Sequence, residues 1–159
     1  MAGRGFTGSH LLPAMRFLLV DAHSVIFAWP ALRTLHRRHR EAARDQLVQR
    51  LTAYQDATGT RVVIVFDGKG PRTSQESIPG GVQIFYSGAK GTADQIIERL
   101  VAKYAGEHDM TIATDDLLEQ QTAITFGGLA ISTEGLAKLV DEADADVSRQ
   151  LKRLRNRKT

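Results

Sequence analysis

No cysteine occurs among the 159 residues of this chain. A disulfide framework, a thiolate nucleophile and a Cys-ligated zinc site are therefore excluded, and the composition suits a reducing, cytoplasmic setting. Long apolar runs are missing too. The apolar stretch near the N-terminus, Leu11–Val20, is interrupted by Pro13 and Arg16. It is too short to span a membrane and lacks the layout of a signal peptide. No Gly-rich loop follows the first strand-like run, which removes the dinucleotide-binding and P-loop fingerprints. No Gly-x-Ser-x-Gly elbow is present. Asp21 is not followed two positions on by the second aspartate of the haloacid-dehalogenase phosphatases. With neither an internal repeat nor a low-complexity linker, the length fits one domain with a sizeable core.

What the chain does have is a repeated device. Phe17-Leu18-Leu19-Val20 stops on Asp21, Val62–Phe66 stops on Asp67, and Met110–Thr114 stops on Asp115 and Asp116. Apolar runs without alternation read as strands buried on both faces of a parallel sheet. Val82–Tyr86 and Leu129–Ile131 add two shorter strands. Helical patterns lie between them. The first covers Ala31–Tyr54 with a bend near His39, and the next opens at Thr92 and carries Ile96, Ile97, Leu100, Val101 and Tyr104 inward. A third covers Asp116–Thr125, and a last one starts at Ser132–Glu134 with Leu136, Leu139 and Val140 inward. Ala22–Ile26 reads as a turn and Lys69–Gly81 as a long polar loop. Alternating strands and helices predict an α/β fold with a parallel sheet covered on both faces. Residues 1–15 read as a disordered leader, with Met15 as an alternative start. Residues 16–150 form the domain and 151–159 a basic tail.

That tail explains the charge. Lys152, Arg153, Arg155, Arg157 and Lys158 outweigh the net charge of +3, so the rest of the chain is slightly acidic. A second basic stretch holds Arg33, Arg37, Arg38, Arg40 and Arg44, with His36 and His39. Such clusters suit a phosphate backbone, and equally a solvated face.

Strands that end on the same side of a parallel sheet deliver their acids into one crevice. Asp21, Asp67, Asp94 and Asp116 are candidates, with Glu98 one helical turn beyond Asp94. Carboxylates packed this closely repel unless a cation neutralises them. Hard oxygen donors without Cys favour Mg²⁺ or Mn²⁺, and such a centre suits phosphodiester hydrolysis. Taken singly, each acid has a plainer use: Asp94 and Asp116 as helix caps, Asp67 as a turn residue, Glu98 as a surface charge. Ser24 and Thr114 can orient a carboxylate or water, or serve structure alone. His23 is a substrate contact or a polar spacer; Trp29 stacks on a base or packs against the sheet.

Several segments occur in an ordered set: Leu18-Leu19-Val20-Asp21, Ala28-Trp29-Pro30-Ala31-Leu32, Glu41-Ala42-Ala43-Arg44-Asp45 and Val65-Phe66-Asp67-Gly68. They are followed by Thr92-Ala93-Asp94 with Glu98, and by Ala113-Thr114-Asp115-Asp116 with Glu119-Gln120. In this order the chain resembles the YacP-like NYN domains, a branch of the PIN-like nucleases, over residues 16–140. The resemblance implies a three-layer α/β/α fold with strand order 3-2-1-4-5. It also implies an endoribonuclease using a divalent metal, with RNA as partner, mRNA on the ribosome included. By position, Asp21, Asp94 and Asp116 match the catalytic aspartates, while Asp67 and Glu98 match supporting acids. Asp115 stands where the family usually has Ser. The first motif departs: Val20-Asp21-Ala22-His23-Ser24 replaces the usual Val-Asp-Gly-Tyr-Asn. Ser24 keeps a hydrogen-bond donor there, with shorter reach than Asn.

The expectation is thus a cytoplasmic endoribonuclease without a membrane partner. Asp21, Asp94, Asp116, Asp67 and Glu98 would hold Mg²⁺ or Mn²⁺, with Ser24, Thr114 and Asp115 in support. Arg33, Arg37, Arg38, Arg40, Lys90, Lys152, Arg153 and Arg155 would grip the RNA. In-line attack by water would leave 5′-phosphate and 3′-hydroxyl ends. The altered first motif motivates a second reading, an RNA- or ribosome-binding module with a weakened site. A small-phosphate hydrolase on the same sheet is a third.

Overall fold

A computed structural model of the chain describes residues 15–68, 75–77, 81–88 and 91–158. The expected leader, except Met15, most of the 69–81 loop, and Lys90 lie outside the described residues. Strand β1 (Arg16–Asp21) is followed by helices α1 (Ala22–Ala28), α2 (Pro30–Arg38) and α3 (Arg40–Thr58). Next come β2 (Arg61–Phe66), β3 (Gln75–Ser77), β4 (Gln83–Tyr86) and α4 (Ala93–Tyr104). The chain continues through β5 (Asp109–Ala113), α5 (Leu117–Thr125), β6 (Leu129–Ile131) and α6 (Thr133–Lys158).

The strands pair in the order β3-β4-β2-β1-β5-β6. β4, β2, β1, β5 and β6 run parallel, and β3 is antiparallel to β4. In chain order the five parallel strands read 3-2-1-4-5, as the resemblance implied. β1 lies at the centre, paired on one side with β2 through Leu18↔Val62 and on the other with β5 through Leu18↔Thr111. Successive strand side chains point to opposite faces. Leu18 and Val20 join α1, α2, α3 and α6 through Val25, Leu32, Leu47, Leu51, Leu136 and Val140. Leu19 joins α4 and α5 through Ile97, Val101 and Ala123. That double burial explains why β1 and β2 carry unbroken apolar runs.

Local chemistry sets the element ends. The expected bend at His39 is a break between α2 and α3, with that residue extended at φ −144° and ψ 101°. Gly59 ends α3 in the left-handed region at φ 75°, where a side chain would be strained. Thr92 caps α4 in a reciprocal box with Gln95.

Three expectations need correction. Ala22–Ile26 is not a turn but most of α1, because Val25 and Ile26 fall on one face and are buried against the sheet. The long loop contains β3, a three-residue polar strand too short to show periodicity. Leu139 is 37% exposed, since the inward stripe of α6 runs through Leu136, Val140 and Ala143 instead.

Candidate metal centre

The chain winds outward from β1 to β4, then returns through α4 to β5 on the other side of β1. Open α/β sheets place their ligands where the winding reverses, beyond the C-terminal strand ends. Here that point lies between Asp21, which ends β1, and Thr114–Asp116, which follow β5.

Asp21 is 5% exposed and makes no side-chain cap to α1. Its Oδ2 accepts from Ser24 Oγ at 2.9 Å and from Thr114 Oγ1 at 3.0 Å. The two hydroxyls also lie 3.2 Å from each other, so Ser24, Thr114 and Asp21 form one network. The same hydroxyl oxygens then accept from backbone N–H groups, Ser24 from Asp115 at 3.3 Å and Thr114 from Asp116 at 3.1 Å. Ser24 and Thr114 thus relay the polarity of the β5–α5 turn onto one carboxylate and hold it still. Ser24 of the altered first motif thus makes a direct contact with Asp21.

Asp94 enters from the first turn of α4 and is exposed. Asp67 stands behind it. Its Oδ1 accepts from Ala93 N at 2.9 Å and Ser87 Oγ at 3.2 Å, which fastens the start of α4 to the end of β2. Glu98, exposed on the next turn, lines a cavity of about 300 Å³ with Asp94, Ile97, Leu118, Glu119 and Thr122.

Glu119 completes the site. It lies on the first turn of α5, sharing the inward face with Ala123, and is 5% exposed. Its Oε1 is buried without a hydrogen-bond partner among the described residues. One carboxylate oxygen from each of Asp21, Asp94 and Glu119 lies within 4.8 Å of the others. Burial, the adjoining Asp94 carboxyl and the charge of Asp21 push Glu119 up from 4.5 to about 10; a Thr114 hydrogen bond opposes them weakly. Without a cation, burial and the neighbouring carboxyls favour the protonated form of Glu119.

Asp116 and Asp115 have other partners. Asp116 is the N-cap of α5, its Oδ1 accepting from Leu118 N at 2.8 Å and Glu119 N at 3.3 Å. It therefore fixes the turn that carries Glu119. Asp115 turns to α6, where Thr133 donates N–H at 2.9 Å and Oγ1–H at 2.7 Å. Of the five acids proposed from sequence as metal ligands, only Asp21 and Asp94 belong to the closest cluster. Glu119 stands with Gln120 in the last of the matching segments, where the sequence motifs assign it no role. In the fold it shares the buried face of α5 with Ala123, while Leu117 and Leu118 face solvent, the reverse of what their hydropathy suggests.

The donor set fits a hard divalent cation: three carboxylates, one of them buried with an unpaired oxygen, and no sulfur ligand. Among the expected RNA contacts, Arg33, Arg37, Arg38 and Arg40 are exposed along α2 and the start of α3. Lys152, Arg153 and Arg155 are exposed on the last turns of α6. Trp29 is buried, donating Nε1–H to Thr133 O at 3.0 Å beneath Arg50. It packs rather than stacks on substrate.

Sequence comparison matches residues 18–159 to the YacP-like NYN domain, nearly the whole chain. The chain belongs to this family. The family falls within the PIN-like nucleases, consistent with the acid crevice at the switch point. The uncharacterised protein YacP of Bacillus subtilis (strain 168) is 32% identical over 148 residues, covering 91% of this chain and 86% of that protein. The crystal structure of Rae1 (YacP) from Bacillus subtilis superposes with a TM-score of 0.76 at 33% identity, covering 91% of this chain and 84% of that one. A mutant of the same protein gives 0.74 at 32% identity, covering 87% and 82%. No helix among the described residues is long and apolar enough to cross a membrane.

Proposed function

We propose that this protein is a divalent-metal-dependent endoribonuclease, with Asp21, Asp94 and Glu119 as the ligands of Mg²⁺ or Mn²⁺. The supporting observation is Glu119: a buried carboxyl with an unpaired oxygen, within 4.8 Å of two other carboxylates, is costly unless a cation completes it. A cation bound there would neutralise phosphate charge and supply a more acidic water. Asp21, clamped by Ser24 and Thr114, gives the site a fixed wall. Asp94 faces solvent, where a phosphodiester could approach the cation. Glu119 would have to give up a proton to hold the cation, so affinity would rise with pH. Asp116, through the α5 cap, and Asp67, through the start of α4, keep two of the three ligands in register. The arginines of α2 and the basic end of α6 would hold the RNA backbone.

RNA in the cytoplasm is the proposed substrate, with mRNA on the ribosome as the proposed setting. The test is incubation of an end-labelled, structured RNA with Mn²⁺, Mg²⁺ or EDTA, alongside Asp94→Asn. Internal cuts that need metal and vanish in the variant are expected. Absence of cutting on free RNA and on translating ribosomes alike would overturn the proposal.

A further inference from the structure

Beside the acid crevice, three rings lie in a row. His23 and Phe27 are one turn apart on the outer face of α1, their centroids 4.5 Å apart and tilted by 42°. Phe27 then meets His36 of α2 edge-on at 4.9 Å. Phe27 is 44% exposed, although Val25 and Ile26 of the same short helix are buried. A single exposed apolar side chain calls for no explanation. Three adjoining rings do, because open aromatic faces seat ligands that are themselves flat.

Position and charge narrow the ligand. His23 sits between Asp21 and Ser24, so the row begins at the edge of the carboxylate cluster. From Ala22 to Arg40 there is no acidic residue, while Arg33, Arg37, Arg38 and Arg40 are exposed and form no ion pair among the described residues. An aromatic platform bordered by unpaired guanidinium groups matches a polyanion with flat bases. A duplex hides its base faces, whereas a single strand presents them.

We infer that His23, Phe27 and His36 form a base-stacking subsite for unpaired nucleotides adjoining the scissile phosphate of single-stranded RNA, with the α2 arginines on the neighbouring phosphates. The inference deepens the proposed ribonuclease reading and rests on it for the position of the cut. Binding tests it separately from catalysis.

The experiment measures affinity by fluorescence anisotropy of a labelled single-stranded oligoribonucleotide in EDTA, then cleavage of the same RNA in Mn²⁺. A parallel series carries one abasic nucleotide at successive positions. Phe27→Ala is expected to weaken binding about tenfold, and Phe27→Trp to restore it. One abasic position should cost the native protein a similar factor and cost Phe27→Ala nothing further, as expected of two partners in one contact. Phe27 is outside both core clusters, and circular dichroism checks that both variants fold. Native affinity in Phe27→Ala, or an abasic penalty unchanged by that variant, would overturn the inference, as would failure of the native protein to bind RNA. Phe27-dependent binding would support the subsite even without cleavage of this RNA in Mn²⁺; the nuclease reading falls only if translating ribosomes are not cut either.

Discussion

Two groups of acids occupy the same end of the sheet and differ in what they touch. Asp67, Asp115 and Asp116 are each engaged with backbone N–H groups at a helix start: Ala93 of α4, Thr133 of α6, and Leu118 and Glu119 of α5. Their charge is balanced by orphan donors and by the helix dipole. Asp21, Asp94 and Glu119 instead face one another, and Glu119 keeps an oxygen that nothing among the described residues satisfies. The first group builds helix ends; the second stores an electrostatic demand that a cation would meet. A position at a strand end does not separate the two. An accounting of hydrogen bonds does.

The comparison breaks most visibly if the groups are exchanged in function. Asp94→Asn or Glu119→Gln should lower RNA cleavage by about a hundredfold or more, through loss of a ligand rather than of the fold. Near-normal cutting by both variants in Mn²⁺ would erase the distinction.

A second expectation concerns pH without metal. Glu119 is raised from 4.5 to about 10 in the fold, so between those values the folded state binds more protons than the unfolded one. Stability therefore falls as pH rises through that window, and the contribution is fully present only below 4.5. Glu119→Gln should flatten the dependence and stabilise the protein at pH 8, as followed by urea midpoints across the pH range. An unchanged pH profile would mean that Glu119 is ionised in the empty site.

The helix-start acids should show the reverse signature. Asp115→Ala removes both bonds to Thr133 and should cost about 1–2 kcal/mol of stability, with metal affinity moving little. Smallest is Asp116→Asn, because Asn caps nearly as well as Asp. It should change stability by less than about 0.5 kcal/mol and leave Mn²⁺ binding within a fewfold. A large loss of metal affinity in Asp116→Asn would move that residue into the first group.

These two groups also mark how far the sequence could be read. The parallel strands were legible because Leu18–Val20 and Val62–Phe66 are buried on both faces, which leaves an unbroken apolar run ending on an acid. The bend at His39 and the cap at Thr92 were legible from local chemistry. Helix α1 was not: seven residues with no acid in the first turn give little pattern, and its helical form comes from burial of Val25 and Ile26. β3 was hidden because three polar residues on a sheet edge need neither alternation nor an apolar face. At the site, Asp21 and Asp94 stood out through their motifs. Glu119 did not, since an acid three residues after Asp116 looks like the surface half of a capping box. Its burial depends on α4 and β1 closing over it, which no local spacing records.

The most direct test is calorimetric titration of Mn²⁺ into the native protein, Glu119→Gln and Asp116→Asn, in two buffers of different ionisation enthalpy. Saturable binding by the native protein with proton release, tightening with pH, lost in Glu119→Gln and kept in Asp116→Asn, is the predicted result. Binding that survives in Glu119→Gln and fails in Asp116→Asn, or no saturable binding by the native protein, would contradict a metal centre built from Asp21, Asp94 and Glu119.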